Sequence, residues 1–145
     1  VTDTLPVGSS RLASWNGPPA DFETWTDLGF ALAGIFGDPL LTATGALQCG
    51  ELIELNLSNA APSAVAALFL ATSSTPTPFA GGTLIPVPFL GPYYFTTTPL
   101  GTLPLAFTMP DPLPPGFELY AQWAIVDAAG PFGKSLSNAL RGDVP

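Results

Sequence analysis

The sequence is short of the residues that most enzymes and metal sites require. Its 145 residues include no histidine, one cysteine (Cys49) and three basic residues. Without histidine, the commonest general base and a usual zinc ligand are missing, and one cysteine excludes an intrachain disulfide or a cysteine-cluster metal site. Three cations cannot neutralise a row of phosphates, and no apolar run reaches the roughly 18 residues of a membrane span. We therefore expect no cofactor, no metal, no nucleic-acid partner and no membrane span.

Charge of either sign is scarce and unevenly placed. Charged residues make up 10% of the chain, the net charge is −8, and residues 55–110 contain no Asp, Glu, Lys or Arg. A soluble monomer normally carries charges over its whole surface, which keep its copies apart. This stretch is therefore either covered by other subunits or kept hydrated by Thr, Ser and Asn, with or without glycans. Both interpretations lead away from an ordinary cytosolic enzyme.

The composition and the alternation of side chains predict an all-β protein. The chain has 18 prolines and 15 glycines, too many for a helical bundle. In 51–59, Ile53, Leu55 and Leu57 alternate with polar residues, as in a half-buried strand. Segments of similar strand character occupy 64–71, 82–88, 93–98, 102–109, 117–127 and 134–141. Short strands separated by turns indicate an antiparallel β-sandwich of jelly-roll or immunoglobulin-like type.

Three of these segments carry finer expectations. Segment 64–71 is apolar on both faces and should be a central strand. Segment 82–88 contains Pro86 and should lie at a sheet edge. In 117–127, the odd-numbered residues, Trp123 among them, should face the core, and the even-numbered residues, Gln122 among them, should face outward.

The first residues differ from the rest, so we divide the chain into an N-terminal arm, 1–20, and a β-sandwich domain, 21–145. The arm begins with the strand candidate V-T-D-T-L-P-V. Its residues Val1, Leu5 and Val7, together with Trp15, are predicted to contact another subunit by donor-strand complementation. Pairing with the arm's own domain is the alternative, and Trp15 and Trp25 are expected to pin the arm to a sheet.

Several motifs suggest chemistry only weakly. Arg141-Gly142-Asp143 spells an integrin-type tripeptide, but we expect it to form a solvated turn. Four carboxylates are concentrated before the first strand and could attract a hard cation, although no calcium-loop spacing is present: Asp21, Glu23 and Asp27, with Asp38 downstream. The pairs Glu51 with Glu54 and Glu118 with Asp127 fail as glycosidase pairs, because their spacing places the two carboxylates on opposite faces of a strand. We therefore predict that the protein is not an enzyme.

Sites for sugars are the other group of candidates. Asn56-Leu57-Ser58 fits the N-glycosylation pattern, and 72–78 is a Ser/Thr/Pro stretch of the kind that carries O-glycans. The possible glycosylation residues are Asn56, Thr72, Ser73, Ser74, Thr75 and Thr77. Aromatic residues could also form a sugar-stacking platform: Trp15, Trp25, Tyr93, Tyr94 and Trp123. Trp123 is expected to pack in the core instead.

Several segments together resemble a known but largely uncharacterised domain. They are F-E-L-Y-A-Q-W-A-I-V-D-A-A-G-P-F-G-K-S-L-S-N-A-L at 117–140, L-N-L-S-N-A-A-P at 55–62, G-G-T-L-I-P-V-P at 81–88 and an earlier G-I-F-G-D-P-L-L-T-A-T-G-A-L. They resemble a β-rich domain of about 120 residues that recurs in secreted bacterial proteins, often as a C-terminal module. The resemblance implies an extracellular β-sandwich and no known enzyme activity, and it transfers no catalytic residue.

These observations favour a structural protein outside the cell. Because the first residue is Val1 rather than Met, we expect a processed product or a fragment that is extracellular or at the cell surface after signal-peptide removal. The predicted function is a subunit of an extracellular bacterial filament or matrix fibre, a homo-polymer assembled head-to-tail by strand donation from the arm. The alternative is a secreted carbohydrate-binding or adhesion module.

Overall fold

The computed structural model describes residues 24–109 and 113–145, and within them the chain forms β-strands and turns without an α-helix. Eleven strands are found in this part of the chain: β1 (Trp25–Gly29), β2 (Leu40–Thr44), β3 (Leu52–Ser58), β4 (Val65–Ala71), β5 (Ser74–Phe79), β6 (Gly82–Pro86), β7 (Leu90–Thr96), β8 (Leu103–Thr108), β9 (Glu118–Val126), β10 (Lys134–Leu136) and β11 (Ala139–Asp143). None of the described segments is a helix with the length and apolarity needed to cross a bilayer.

The strands pair antiparallel throughout. The largest sheet has the order β1-β11-β9-β4-β7, and β10 pairs with the far end of β9. A second sheet has the order β2-β3-β8, and β5 with β6 forms a separate hairpin. The all-β antiparallel class predicted from the sequence is confirmed, and the arrangement is consistent with a β-sandwich.

One core joins the two larger sheets. Ile53, Leu55 and Leu57 of β3 are buried, as their alternation predicts, while the residues between them are exposed. They belong to the same apolar cluster as Trp123 of β9. The Trp123 ring meets Phe95 of β7 edge-on, with the ring centroids 5.6 Å apart. The prediction that Trp123 packs in the core is therefore confirmed.

The large sheet is covered on its other face as well. Ala67 and Phe69 of β4 point away from the first core and form a second cluster with Leu84 of the hairpin. Phe79 of the hairpin contacts Phe69 edge-on at 5.8 Å. Strand β4, between β9 and β7, is therefore central and buried on both faces, as its apolar sequence predicts.

The same covering layer makes one prediction wrong. Gln122 and Ala124 of β9 were expected to face outward, but both are buried, Gln122 completely. Their face of the sheet lies under the β5–β6 hairpin, where Gln122 accepts a hydrogen bond from Ile85 N at 2.9 Å. Its amide nitrogen donates to Ser137 O at 3.0 Å and to Thr83 O at 3.2 Å. The hairpin is thus held by a polar side chain that alternation alone assigns to solvent.

The predicted strand 134–141 is divided by a buried polar corner. It forms β10 and β11, with Ser137 and Asn138 between them. Asn138 accepts a hydrogen bond from Leu41 N at 2.7 Å and donates one to Leu41 O at 3.0 Å. The Asn138 side chain therefore bonds to the backbone of β2 as a neighbouring strand would, and it joins the second sheet to the first.

Two further predictions concern a sheet edge and the N-terminal arm. Strand β6 pairs only with β5 among the described strands, so the edge position expected for 82–88 is confirmed. The proposed arm, 1–20, lies outside the described residues. The fold therefore offers the sheet edges that such an arm would need, and the arm itself stays a prediction.

Candidate functional site

Among the described residues, β4 to β8 carry no charged side chain, although Glu54 of β3 lies opposite Ala106 of β8. The charged side chains occur on β1, β3, β9, β10 and β11 or in adjoining loops: Asp27, Asp38, Glu51, Glu54, Glu118, Asp127, Lys134, Arg141 and Asp143. The uncharged segment thus maps onto five successive strands. It includes the hairpin and two sheet edges, formed by β7 and β8.

Strand β7 is an edge of the large sheet, paired only with β4 among the described strands. Just beyond it, Thr97 N donates to Ala64 O at 2.8 Å. Successive residues of an antiparallel strand direct their backbone groups to opposite sides. The N–H and C=O groups of Tyr94 and Thr96 therefore point away from β4, toward the side of β7 that has no partner among the described strands.

The side chains of β7 are apolar and unusually exposed. Tyr94 lies opposite Ala67 on the outer face of the sheet and is 70% exposed. Val65, opposite Thr96 on that same face, is 49% exposed. On the core face, Tyr93 is 47% exposed, although it lies opposite the buried Leu68. Apolar surface therefore remains uncovered on both faces of this edge.

Strand β8 provides the second uncharged edge. A tight turn connects it to β7, with Thr98 N donating to Thr102 O and the two hydroxyls 2.6 Å apart. Leu105 and Phe107 of β8 pack against the core but stay half-buried, and Leu100 at the tip of the turn is 83% exposed. We call β7, this turn and β8 the uncharged flank, residues 90–108.

An aromatic groove lies at the end of the hairpin, with a volume of about 490 Å³. Its lining residues are Pro78, Phe79, Ala80, Gly81, Phe132 and Lys134. Phe132 is 72% exposed, and within the described part of the chain Lys134 forms no ion pair. The groove thus offers an apolar wall and one positive charge.

A second groove, of about 380 Å³, brings together two of the carboxylates considered as cation ligands. Asp27 and Asp38 both line it, beside Phe30 and Asn138. Asp27 already accepts a hydrogen bond from Gly29 N at 2.9 Å. No cluster of three or more metal-ligating residues is found in the described ranges, 24–109 and 113–145, and Asp21 and Glu23 lie outside them.

Two of the other carboxylates, Asp127 and Glu118, are engaged in local hydrogen bonds. Asp127 is buried and accepts hydrogen bonds from Ile35 N and Ala129 N, both at 2.9 Å, so it holds two loops. Glu118 accepts one from Tyr120 OH at 2.8 Å, and burial together with this bond raises the pKa of Tyr120. Glu118 and Asp127 lie at opposite ends of β9, about 30 Å apart at the rise of a strand. A glycosidase pair needs a separation below about 10 Å.

The Arg-Gly-Asp tripeptide is not the solvated turn that we predicted. It lies in β11, which is paired with β9 on one side and with β1 on the other. Arg141 Nε and Asp143 Oδ1 are 3.2 Å apart on the same face. The two charged groups therefore pair with each other within a sheet.

The candidate glycosylation residues occupy three kinds of position. Asn56 is exposed on β3, the middle strand of its sheet, and Thr72 and Ser73 are exposed in the turn before β5. Ser74 donates its hydroxyl to Ile85 O at 2.9 Å and is half-buried. Thr75 and Thr77 are exposed on β5, and the Thr77 hydroxyl donates to Thr75 O at 2.8 Å.

The residues predicted to form the arm contact, Val1, Leu5, Val7 and Trp15, lie outside the described residues. Trp25, which the sequence places beside the arm, is half-buried and donates its indole N–H to Gly45 O at 2.9 Å. The first described strand after the arm in the sequence, β1, is therefore anchored to its own domain.

Comparison with protein-family models, curated proteins and solved structures found no match to this chain. The resemblance to a recurring secreted domain stays a prediction. Sequence reasoning found the uncharged stretch but missed the Phe132 and Lys134 groove, since these residues meet the hairpin only through tertiary contacts. An exposed Phe and a lone Lys after a Gly-Pro turn were its only local signal.

Proposed function

We propose that the protein is a structural subunit of an extracellular bacterial filament or matrix fibre, in which copies associate head-to-tail through a strand donated by the N-terminal arm. The observation that supports this proposal most strongly is the uncharged flank. An exposed, apolar edge strand favours pairing with another chain, and monomeric proteins usually block such edges with charges or other devices. Here two neighbouring edges lack a charged side chain.

The arm is long enough to reach a neighbouring copy. Sixteen residues separate Val7 from Thr24, and an extended chain of this length spans up to about 55 Å. A compact domain of about 120 residues is roughly 35 Å across. A donated strand creates a heterologous contact, which propagates as a fibre when the rotation between copies does not close a ring.

No catalytic role forms part of this proposal. Asp127 and Glu118 are engaged in local hydrogen bonds. The surface without charges is suited to burial against a similar surface, where burying apolar area contributes about 25 cal/mol per Å². We therefore expect the assembled state, rather than a reaction, to be the functional product.

Deleting residues 1–10 tests the proposal. The full chain should form fibres in negative-stain micrographs and particles of high mass by light scattering, whereas the deletion variant should remain a folded monomer. The matched control retains the length of the arm but replaces Val1, Leu5 and Val7 with serine, and should also be monomeric. A monomeric full chain, or fibres that persist after the deletion, would contradict the proposal.

The aromatic groove supports a second candidate function, the binding of acidic carbohydrate. Phe79 and Phe132 supply faces on which a sugar ring can stack, and Lys134 could pair with a carboxylate of the sugar. Calorimetric titration with uronic-acid and neutral oligosaccharides separates the two ideas. Saturable binding of the acidic series alone, reduced at least about tenfold by Lys134→Ala, would favour this function, whereas no heat with either series would exclude it.

A further inference from the structure

The sheet edges that have no partner among the described strands differ in how well they could accept a strand. Strand β1 carries Asp27, β5 contains Pro76 and Pro78, and β6 contains Pro86. Charges and prolines both oppose pairing at an edge, because proline lacks the N–H that a ladder needs. In β2, both backbone groups of Leu41 are already bonded to Asn138. Strand β8 contains Pro104, and its Ala106 lies opposite the charged Glu54 of β3. In β7, Pro92 is followed by four residues, Tyr93 to Thr96, that contain neither a charge nor a proline, and they lie beside the uncharged strand β4.

The backbone of β7 limits the acceptor to a short window. Tyr94 and Thr96 direct their N–H and C=O groups outward, as the bond from Thr97 N to Ala64 O requires. Pro92, two residues before Tyr94, has no N–H to offer. The window therefore consists of four backbone groups, two donors and two acceptors, on Tyr94 and Thr96.

In the arm, only one of the two sets of alternate residues, the odd-numbered set, can form backbone bonds to this window. Pro6 also lacks an N–H, so in a paired strand it should face away from the partner, which leaves the odd-numbered residues to form the bonds. In such pairs the side chains of bonded residues lie on the same face. Leu5 and Val7 would then lie on the outer face, the face on which Tyr94 and Val65 are exposed.

We propose that the arm of one copy pairs with the β7 edge of the next through its odd-numbered residues, with Leu5 hydrogen-bonded to Tyr94 or Thr96. This inference rests on the proposed function and identifies its acceptor. In the antiparallel register that bonds Leu5 to Tyr94, Asp3 lies opposite Thr96, whose side chain is exposed. The carboxylate therefore keeps its hydration, while Leu5 covers Tyr94.

Cysteine cross-linking tests the pairing and its phase. In a Cys49→Ser background, Leu5→Cys is combined in turn with Tyr94→Cys and with Thr96→Cys, and fibres are oxidised under mild conditions. Bonded partners in a strand pair have Cα atoms about 5.5 Å apart, which a disulfide can bridge. One of the two combinations should give a ladder of covalent oligomers on a non-reducing gel.

The matched control moves the arm cysteine by one residue. Thr4→Cys with Tyr94→Cys places the two side chains on opposite faces, so we expect cross-linking to be at least about tenfold slower. Leu5→Cys combined with Thr26→Cys on β1, or with Ala106→Cys on β8, tests the competing edges. The tryptophan fluorescence of each reduced variant should match that of the Cys49→Ser protein, which shows that its fold is retained.

The outcomes separate the two levels of the proposal. Fibres that cross-link through β1 or β8, or equally well from Thr4 and Leu5, overturn the assignment to β7 and leave strand donation standing. A disulfide formed only within one chain overturns donation between copies. Absence of fibres from the Cys49→Ser protein overturns the proposed function itself.

Discussion

At the scale of single residues, two buried amides hold this fold together. Gln122 bonds to the hairpin and to the loop before β11, and Asn138 bonds to both backbone groups of Leu41. Gln122 joins β9 to the hairpin, and Asn138 joins the corner between β10 and β11 to β2; no ladder of backbone bonds connects either pair of elements. A buried polar group is costly unless it is bonded, so these side chains specify one arrangement of layers rather than merely adding stability.

Replacing Gln122 with leucine should destabilise the protein by about 2–4 kcal/mol. Leucine has a similar volume but leaves Ile85 N and Ser137 O buried without their partner. Urea unfolding followed by tryptophan fluorescence measures the change. Gln48→Leu, at an exposed position, is the control and should change stability by less than about 0.5 kcal/mol. Equal stability of the two variants would show that Gln122 does not hold the hairpin.

At the scale of elements, the alternation of apolar and polar residues predicts a strand well when one face of that strand is exposed to solvent. Strand β3 follows this rule, with Leu55 inward and Asn56 outward. Strand β9 breaks it, because the β5–β6 hairpin covers its second face, and the sequence of β9 contains no sign of that cover. The nearest sign is in β4, whose two apolar faces already require a layer on each side.

A short repeated motif shows why local sequence could not specify the rest. Leu-Ser-Asn-Ala occurs at the end of β3 and again across the corner from β10 to β11. Asn59 takes a left-handed conformation with φ of 57° and ends its strand, whereas Asn138 reaches across to Leu41. The same four residues end a strand in one place and bond to the second sheet in the other, because their tertiary neighbours differ.

The candidate site, the uncharged flank, could likewise be predicted only in part from the sequence. Its lack of charge is visible in residues 55–110, but which strands form edges depends on the pairing order. Tyr94 was grouped with Trp123 as an aromatic platform, yet one is 70% exposed and the other is buried. Only the register against β4 shows that Tyr94 offers its backbone to a partner.

At the scale of the whole molecule, the proposed assembly would bring together subunits that repel one another. Each carries a net charge of −8, and the uncharged flank contributes none of this charge. The proposed contact therefore involves apolar surface and backbone bonds, which salt does not weaken. The opposing repulsion acts over the Debye length, about 30 Å at 0.01 M salt and about 3 Å at 1 M.

Raising the salt concentration should therefore promote fibre formation. We expect the protein concentration at which fibres appear, measured by light scattering, to fall at least about tenfold between 0.01 M and 1 M sodium chloride. The control variant, Asp38→Asn with Glu51→Gln and Glu54→Gln, removes three negative charges outside the flank and should form fibres more readily at low salt, with a weaker dependence on salt. Fibres that dissolve as salt rises would mean that ion pairs hold the subunits together, contrary to an uncharged contact. The sign of this response thus distinguishes an assembly that buries its uncharged flank from one that is held through its few cations.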